Sequence, residues 1–430
     1  MVNSISLIKI ILVFFFSGVF FFPPFDIPFI RGMSIGIEVF VVLLFCGFLF
    51  FIEPKKLRKD LESTFFLKLG HFYYPLLLII LFTVCGMLYY SLALSGRVII
   101  RDFFTIALLF LYFPAIYLGY LASHFVKESF LLKVITFWGF LSLIVGFIMY
   151  FDIGNLNPYM IKIWDYSRAQ LLVDQVPWRR FLGTFKNPNY YGALSIIFVV
   201  IFSRAAQKFK VVPMKVFLFV LGGMSILALL LTGSRTGTVS LLFVFAVFFL
   251  LYFLKGKISK KIFSTVILVG IAFFIISATN PFIFSRVYGF EDWGRFMHGI
   301  YARLFGIWAP LWEYIVASPV VGLGPIKDEV RFLADNNYVL ILVQSGLLGL
   351  SSFLLFIFFF IRNGIVDFFV ENNLLKLGVG LTFFIYCFTA DFFYHHELIF
   401  LTLFLLGFYE GRFRYIKNPE NNHIEKIKET

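Results

Sequence analysis

The chain has 430 residues, of which 60% are hydrophobic and only 14% charged, with a mean hydropathy of +0.92. A soluble domain carries roughly a quarter charged residues, so a soluble globular enzyme is excluded. The net charge of +13 does not mark a nucleic-acid partner either, because the basic residues sort by membrane side rather than gathering in one patch.

From the N-terminus onward, apolar runs of about twenty residues, each able to cross roughly 30 Å of hydrocarbon as a helix, alternate with short polar stretches. They are apolar on every face, whereas barrel strands would alternate. The pattern predicts about twelve transmembrane helices, near 5–22, 33–52, 72–92, 102–121, 131–151, 190–203, 214–232, 237–254, 262–279, 338–361, 374–391 and 396–410. The first run has Lys9 ahead of its core, as a signal peptide would. Phe-Phe-Pro-Pro follows it instead of a small-residue cleavage site, so it reads as a span. The expectation is an all-α integral membrane protein, one polytopic domain over 1–430. Two connections, 152–189 and 280–337, are long and rich in Trp, Tyr and Pro, which is a composition for structure rather than disorder. Within the second, apolar residues at helical spacing over 303–318, interrupted at Pro310, predict an amphipathic helix. It would lie along the outer leaflet, or over a lipid substrate as a lid.

Sidedness follows from Lys and Arg. Lys55/Lys56/Arg58/Lys59, Arg204/Lys208/Lys210/Lys215, Lys255/Lys257/Lys260/Lys261 and Arg412/Arg414/Lys417 all fall on one side if the N-terminus is cytoplasmic. Twelve spans then put 23 of the 37 Lys and Arg inside and 14 outside, ten of those in the two long loops. Both termini are expected in the cytoplasm, and both long loops outside it. Cys46, Cys85 and Cys387 lie in apolar runs without paired spacing, so neither a disulfide nor a metal site is expected.

Three segments carry the candidate chemistry. The first, residues 179–192, sets Arg179, Arg180 and Lys186 beside the Asn187-Pro188-Asn189 turn at a helix start. Free backbone N–H groups and guanidinium forks suit phosphate there; on the residues alone, a basic loop resting on lipid headgroups fits equally. The second, Leu-Thr-Gly-Ser-Arg-Thr-Gly-Thr (231–238), holds Ser234 and Arg235 in a tight turn close to the membrane plane. A cation there is a functional candidate, although an arginine can also simply snorkel. The third runs from Ser-Pro-Val-Val-Gly-Leu-Gly-Pro (318–325) to Asp335, Asn336, Asn337 and Tyr338. Gly322-Leu-Gly324 is not a nucleotide loop, lacking a third glycine and a P-loop lysine. Asp335 is either a base or hydroxyl anchor or a plain helix cap, and the cap is the stronger reading. His395, His396 and Glu397 share a tight outer turn, and Glu38 lies inside a span; these read as structural, with zinc lacking partners. The topology places Arg180, Arg235 and Asp335 on one face, suiting a lipid-linked pyrophosphate and a hydroxyl that attacks it.

In that order, Arg-Phe-Leu-Gly-Thr-Phe-Lys-Asn-Pro-Asn (180–189), Thr-Gly-Ser-Arg-Thr-Gly (232–237), and 318–325 followed by Asp-Asn-Asn-Tyr (335–338) and Ser-Gly-Leu-Leu-Gly (345–349) resemble the O-antigen polymerase and O-antigen ligase superfamily. The resemblance implies a GT-C-like fold with an extracytoplasmic active site in a bacterial cytoplasmic membrane, needing no metal, nucleotide or other cofactor. It implies an undecaprenyl pyrophosphate-linked oligosaccharide as substrate, in contact with membrane lipids, and leaves room for a flippase and a chain-length regulator as partners. Arg180 and Arg235 look like the arginines that hold the donor's pyrophosphate. Arg179, Lys186, Asn187, Asn189, Ser234, Arg303, Gly322, Gly324, Asn336 and Tyr338 are expected around the substrate. Ligases typically carry His-Asn where this chain has Asp335-Asn336, which favours a polymerase. A ligase, a lipid-linked oligosaccharide flippase or transporter, and a scaffold are the alternatives; the nearly charge-free spans speak against transport.

Overall fold

The computed structural model describes residues 4–21, 25–26, 34–52, 69–164, 180–185, 187–259, 297, 301–326, 336–390 and 392–417. The described chain is a helical bundle: α1 (Ser4–Phe20), α2 (Ile37–Ile52), α3 (Gly70–Ala93), α4 (Ile100–Phe110), α5 (Tyr112–Phe125), α6 (Glu128–Phe151), α7 (Asn157–Trp164), α8 (Pro188–Lys208), α9 (Val212–Leu231), α10 (Arg235–Leu254), α11 (Trp312–Ala317), α12 (Asn337–Glu371), α13 (Leu375–Tyr386) and α14 (His396–Lys417). Among the described residues seven helices are long and apolar enough to cross a membrane, α4 and α5 counting as one; α1 and α13 are shorter apolar helices. The expected span 262–279 lies outside the described residues.

Several boundaries differ from the expectation for local reasons. The second span starts at Ile37 because Ser34–Ile35 pair antiparallel with Phe25–Asp26. The span expected over 338–361 runs through 35 residues to Glu371, about 52 Å at 1.5 Å per residue and too long for one crossing. It is broken at Gly346, with φ +62° and ψ −166°. The span expected over 374–391 ends at Tyr386 and gives way to turns. The expected amphipathic helix over 303–318 is instead a π-helical turn over Ala302–Trp308, a tight turn over Ala309–Leu311 that accommodates Pro310, and the short α11. One side of it, Leu311 and Ile315, packs with Tyr90, Leu323 and Leu340; Phe305, Trp312 and Val316 face outward.

The centre of the bundle is α8 and α14. Their apolar residues are buried all round, whereas α9 and α10 expose most of theirs, as helices facing lipid do. The tightest crossing is α5 on α14. A Cβ on Gly119 would stand 2.0 Å from the Phe404 carbonyl oxygen, and one on Gly407 2.0 Å from that of Ile116. Reciprocal glycines thus let two backbones touch.

Each end of the bundle has its own polar network. At one end Glu128 meets Arg204 at 2.8 Å, Lys208 at 3.1 Å and Arg412 at 3.5 Å, and Lys376 bridges Asp367 at 2.9 Å and Glu410 at 3.0 Å. Near them Lys255 donates to the Phe368 and Phe369 carbonyls. These ties sit on the lysine-rich turns. The opposite end carries Arg180, Arg235 and the turns around them, and is called here the arginine end.

Candidate active site

Residues 180–185 reach the arginine end because their apolar side chains are pinned inside it. Phe181, Leu182 and Phe185 are buried, and Thr184 donates to the Phe20 carbonyl at 2.6 Å and pairs with Ser142 at 2.8 Å. Gly183 has φ +59°, and a Cβ there would lie 1.9 Å from the Tyr191 ring, so the turn accepts only glycine. This anchor delivers Arg180 to the next motif: Phe181 N–H donates to the Leu231 carbonyl at 2.9 Å, and Arg180 Nε to the Thr232 carbonyl at 2.6 Å. Arg180 Nη2 also donates to Asn189 Oδ1 at 3.3 Å. Asn187 caps α8, its side chain accepting from Asn189 N–H at 2.9 Å, with Pro188 filling the first helical position.

The 232–236 turn therefore receives Arg180 from one side and presents Arg235 from the other. Ser234 caps α10, accepting from Gly237 N–H at 3.2 Å. Arg235 opens that helix half-buried, close enough to Arg303 for the two guanidinium groups to repel. Arg180 and Arg235 thus meet at one turn, with the charge of Arg303 within electrostatic reach of Arg235. Guanidinium groups gathered in this way suit a multiply charged anion.

The turn after α13 joins this site to the start of α12. Thr236 and Thr389 hydroxyls are 2.6 Å apart, and Asn337 N–H donates to the Cys387 carbonyl at 2.7 Å. Asn336 is the cap of α12, accepting from the N–H groups of Tyr338 and Val339. Tyr338 donates to the Phe384 carbonyl at 2.9 Å and stacks with Phe388. Among the residues expected to touch substrate, then, Asn187, Ser234 and Asn336 use their side chains as helix caps and Tyr338 uses its hydroxyl to hold α13. Asp335, Arg179 and Lys186 lie outside the described residues.

Gly322 and Gly324, expected near substrate, lie in a close contact between two stretches of backbone. The 318–325 segment clips onto the break in α12. Leu323 N–H donates to the Val343 carbonyl and Gly324 N–H to that of Gln344, both at 2.9 Å. In return Leu347 N–H donates to Pro319 at 2.8 Å and Leu348 N–H to Val320 at 3.2 Å. Backbone groups freed by the break are thus satisfied by protein, the condition for non-helical backbone at membrane depth. A Cβ on Gly322 would sit 2.4 Å from the Gln344 carbonyl carbon, and one on Gly324 2.6 Å from Met87 Cβ.

His395, His396, Glu397 and Glu38 also come together at the arginine end. His396 Nδ1 lies 2.6 Å from Glu38 Oε1 and 3.1 Å from Glu397 Oε2, and His395 Nδ1 lies 2.9 Å from that same Glu397 oxygen. The ring of His395 packs at 3.8 Å on Tyr190, the neighbour of Asn189. The sequence singled out both the His-His-Glu run and Glu38, and nothing in it joined them across 358 residues. Among the described residues no three or more His, Cys, Asp or Glu side chains converge as metal ligands. An apolar-walled cavity of about 820 Å³, lined by Val199, Leu242, Phe245 and their neighbours, lies toward the lysine end of α8 and α10, away from Arg180 and Arg235.

Residues 217–354, about a third of the chain, match a family model described as O-antigen ligase. This stretch is similar to the O-antigen ligase family. It takes in the Ser234–Arg235 turn, Arg303, the clip and the start of α12. It supports the placement with the O-antigen ligase and polymerase superfamily that the three motifs resemble, and an O-antigen ligase or polymerase type of function in the broad sense. Arg180 and its anchor precede the matched stretch. The contact from Arg180 Nε to Thr232 joins them to it. No curated protein matches the chain.

Proposed function

We propose that the protein polymerises a cell-surface polysaccharide of the O-antigen or capsule type. It transfers a growing glycan from undecaprenyl pyrophosphate to a sugar hydroxyl of the next lipid-linked repeat unit, as a GT-C-like glycosyltransferase on the extracytoplasmic face of the cytoplasmic membrane. One observation carries this reading: Arg180 bonds to the carbonyl of Thr232, beside the turn from which Arg235 rises toward Arg303. Arg180 and Arg235 grip the pyrophosphate and stabilise the charge that develops as the carrier leaves, the charge-assisted contacts strengthening as the bond breaks. Asp335, one residue ahead of the α12 cap, orients the acceptor hydroxyl. Direct displacement inverts the anomeric carbon. The chemistry proposed draws on no metal and no organic cofactor.

The second reading is a ligase that passes finished glycan to lipid A core or another acceptor, favoured by the description of the matching family. Donor chemistry is the same in both. The test is an electrophoretic profile of lipid-linked and surface glycan in a deletion strain carrying wild type or Arg235→Ala. Loss of the ladder with single repeat units still reaching the surface is expected. Long chains stranded on the carrier would make the protein a ligase, and a normal ladder from Arg235→Ala would remove the arginine from the mechanism.

A further inference from the structure

Glu38, in the first turn of α2, is fully buried. A carboxylate is expensive to bury in a membrane protein unless it is partnered. Gly36 makes the space, since a Cβ there would stand 2.0 Å from Glu38 Oε1. The partner that Glu38 finds is His396, and the contacts continue through Glu397 to His395, so two carboxylates and two imidazoles alternate across the arginine end. The chain of contacts has one deep terminus, Glu38, and one partly exposed terminus, His395.

His395 is wedged between aromatic rings, Tyr190 at 3.8 Å and Phe185 at 5.8 Å. Both rings belong to the segment that positions Arg180, and Asn189, bonded to Arg180, is the next residue to Tyr190. His395 Nδ1 and Glu397 Oε2 are 2.9 Å apart as an ion pair rather than an aligned hydrogen bond. A carboxylate beside a histidine stabilises the imidazolium that forms when it takes a proton.

We propose that His395 is the general base of the transfer reaction, a role that rests on the glycosyl-transfer reading above. Nε2 accepts the proton of the acceptor hydroxyl while its oxygen bonds to the anomeric carbon. The bond from that carbon to the pyrophosphate oxygen breaks, and the electron pair leaves on the pyrophosphate beside Arg180 and Arg235. Glu397 stabilises the imidazolium by its charge. Glu38 and His396 are positioning residues, His396 contacting the same Glu397 oxygen as His395.

The test uses the full-length protein in lipid nanodiscs, with undecaprenyl pyrophosphate-linked repeat units extracted from the deletion strain. Polymerisation is followed from about pH 5 to pH 8, where imidazole titrates. His395→Gln is expected to lower the rate by roughly 10²–10⁴-fold and to abolish the rise with pH, while undecaprenyl pyrophosphate still protects it from thermal unfolding. Imidazole added to His395→Ala restores part of the rate. Glu397→Gln moves the rise to lower pH, and Asp335→Asn keeps it. A His395→Gln enzyme with wild-type rate, a rise that vanishes in Asp335→Asn instead, or a carrier-binding His395→Ala that imidazole does not rescue would each overturn the assignment. Arg180→Ala separates the two levels. If it still polymerises, glycosyl transfer at this site is wrong altogether; if it is dead while His395→Gln is active, only the base is wrong.

Discussion

Gly346→Ala is the sharpest probe of the broken helix. At φ +62° and ψ −166° the residue occupies backbone space that is essentially reserved for glycine, and forcing alanine into it costs about 1–3 kcal/mol. The new Cβ would also stand 2.2 Å from the Val320 carbonyl oxygen. Relieving that clash means lifting the clip, which strains the hydrogen bonds from Leu347 to Pro319 and from Leu348 to Val320. Two such bonds are worth roughly 1–3 kcal/mol together. The total, about 2–6 kcal/mol, is a large part of the 5–15 kcal/mol that typically separates folded from unfolded. Thermal unfolding of the purified protein in detergent reads it out, with Gly222→Ala as the control. Nothing lies within 4 Å of a Cβ at Gly222, which sits inside α9, so that change is neutral or slightly stabilising. A Gly346→Ala protein that melts with the control would show that the clip does not hold α12 in its broken form.

Three further outcomes are expected. Arg180→Lys keeps the charge but loses the two-point contact with Thr232 and Asn189; the polymer yield seen by gel falls about tenfold or more, as the loss of a charge-assisted bond of about 1.5–3 kcal/mol requires, whereas an unchanged ladder would mean that charge alone suffices. Glu128→Ala leaves Arg204, only 7% exposed, without its carboxylate and destabilises by about 3–5 kcal/mol; the double variant Glu128→Met, Arg204→Met recovers most of that in the same melting assay. In a background with all three cysteines replaced, Ser95→Cys, exposed at the arginine end, reacts with a membrane-impermeant maleimide on intact cells, and Lys257→Cys reacts only after lysis. The reverse pattern would invert the topology and put the arginines on the wrong side for the proposed reaction.

The helices were legible because uninterrupted apolar runs leave few alternatives in lipid. Which of them are central was not. In α8 and α9 alike every face is apolar, so hydropathy cannot distinguish a helix packed by protein from one wetted by lipid. The same contrast governs the site. Arg180 and Arg235 were readable as cations out of place, and the structure brings both to one turn. Gly322 and Gly324 stood out just as strongly, yet they serve the hydrogen bonds from Leu323 and Gly324 to Val343 and Gln344. A glycine demanded by close backbone approach looks the same in sequence whether the neighbour is a ligand or another stretch of chain. Asn336 shows a finer limit: the sequence reading favours Asp335 as a helix cap, whereas the hydrogen bonds to Tyr338 and Val339 make Asn336 the cap of α12. The Glu38–His396 contact joins the second helix to the last, a distance no local pattern spans.

The three motifs share a property that accounts for their convergence. Each contains the cap of a helix whose N-terminus is at the arginine end: Asn187 for α8, Ser234 for α10 and Asn336 for α12. A helix start carries the positive end of its dipole, roughly half a unit charge, which is felt only within the first turn. Under the proposed reaction, helix starts at this end add to the charge of Arg180 and Arg235 in favouring a diphosphate. The caps satisfy the amides nearest the backbone turn, so in that proposal affinity rests on the arginines. Ser234→Gly keeps the helix start but removes the cap's oxygen, at a cost of only a few tenths of a kcal/mol in stability. It should therefore leave the ladder nearly intact. Arg235→Ala should not, and equal losses in the two variants would mean that the shape of the turn, rather than the charge it carries, is what the reaction requires.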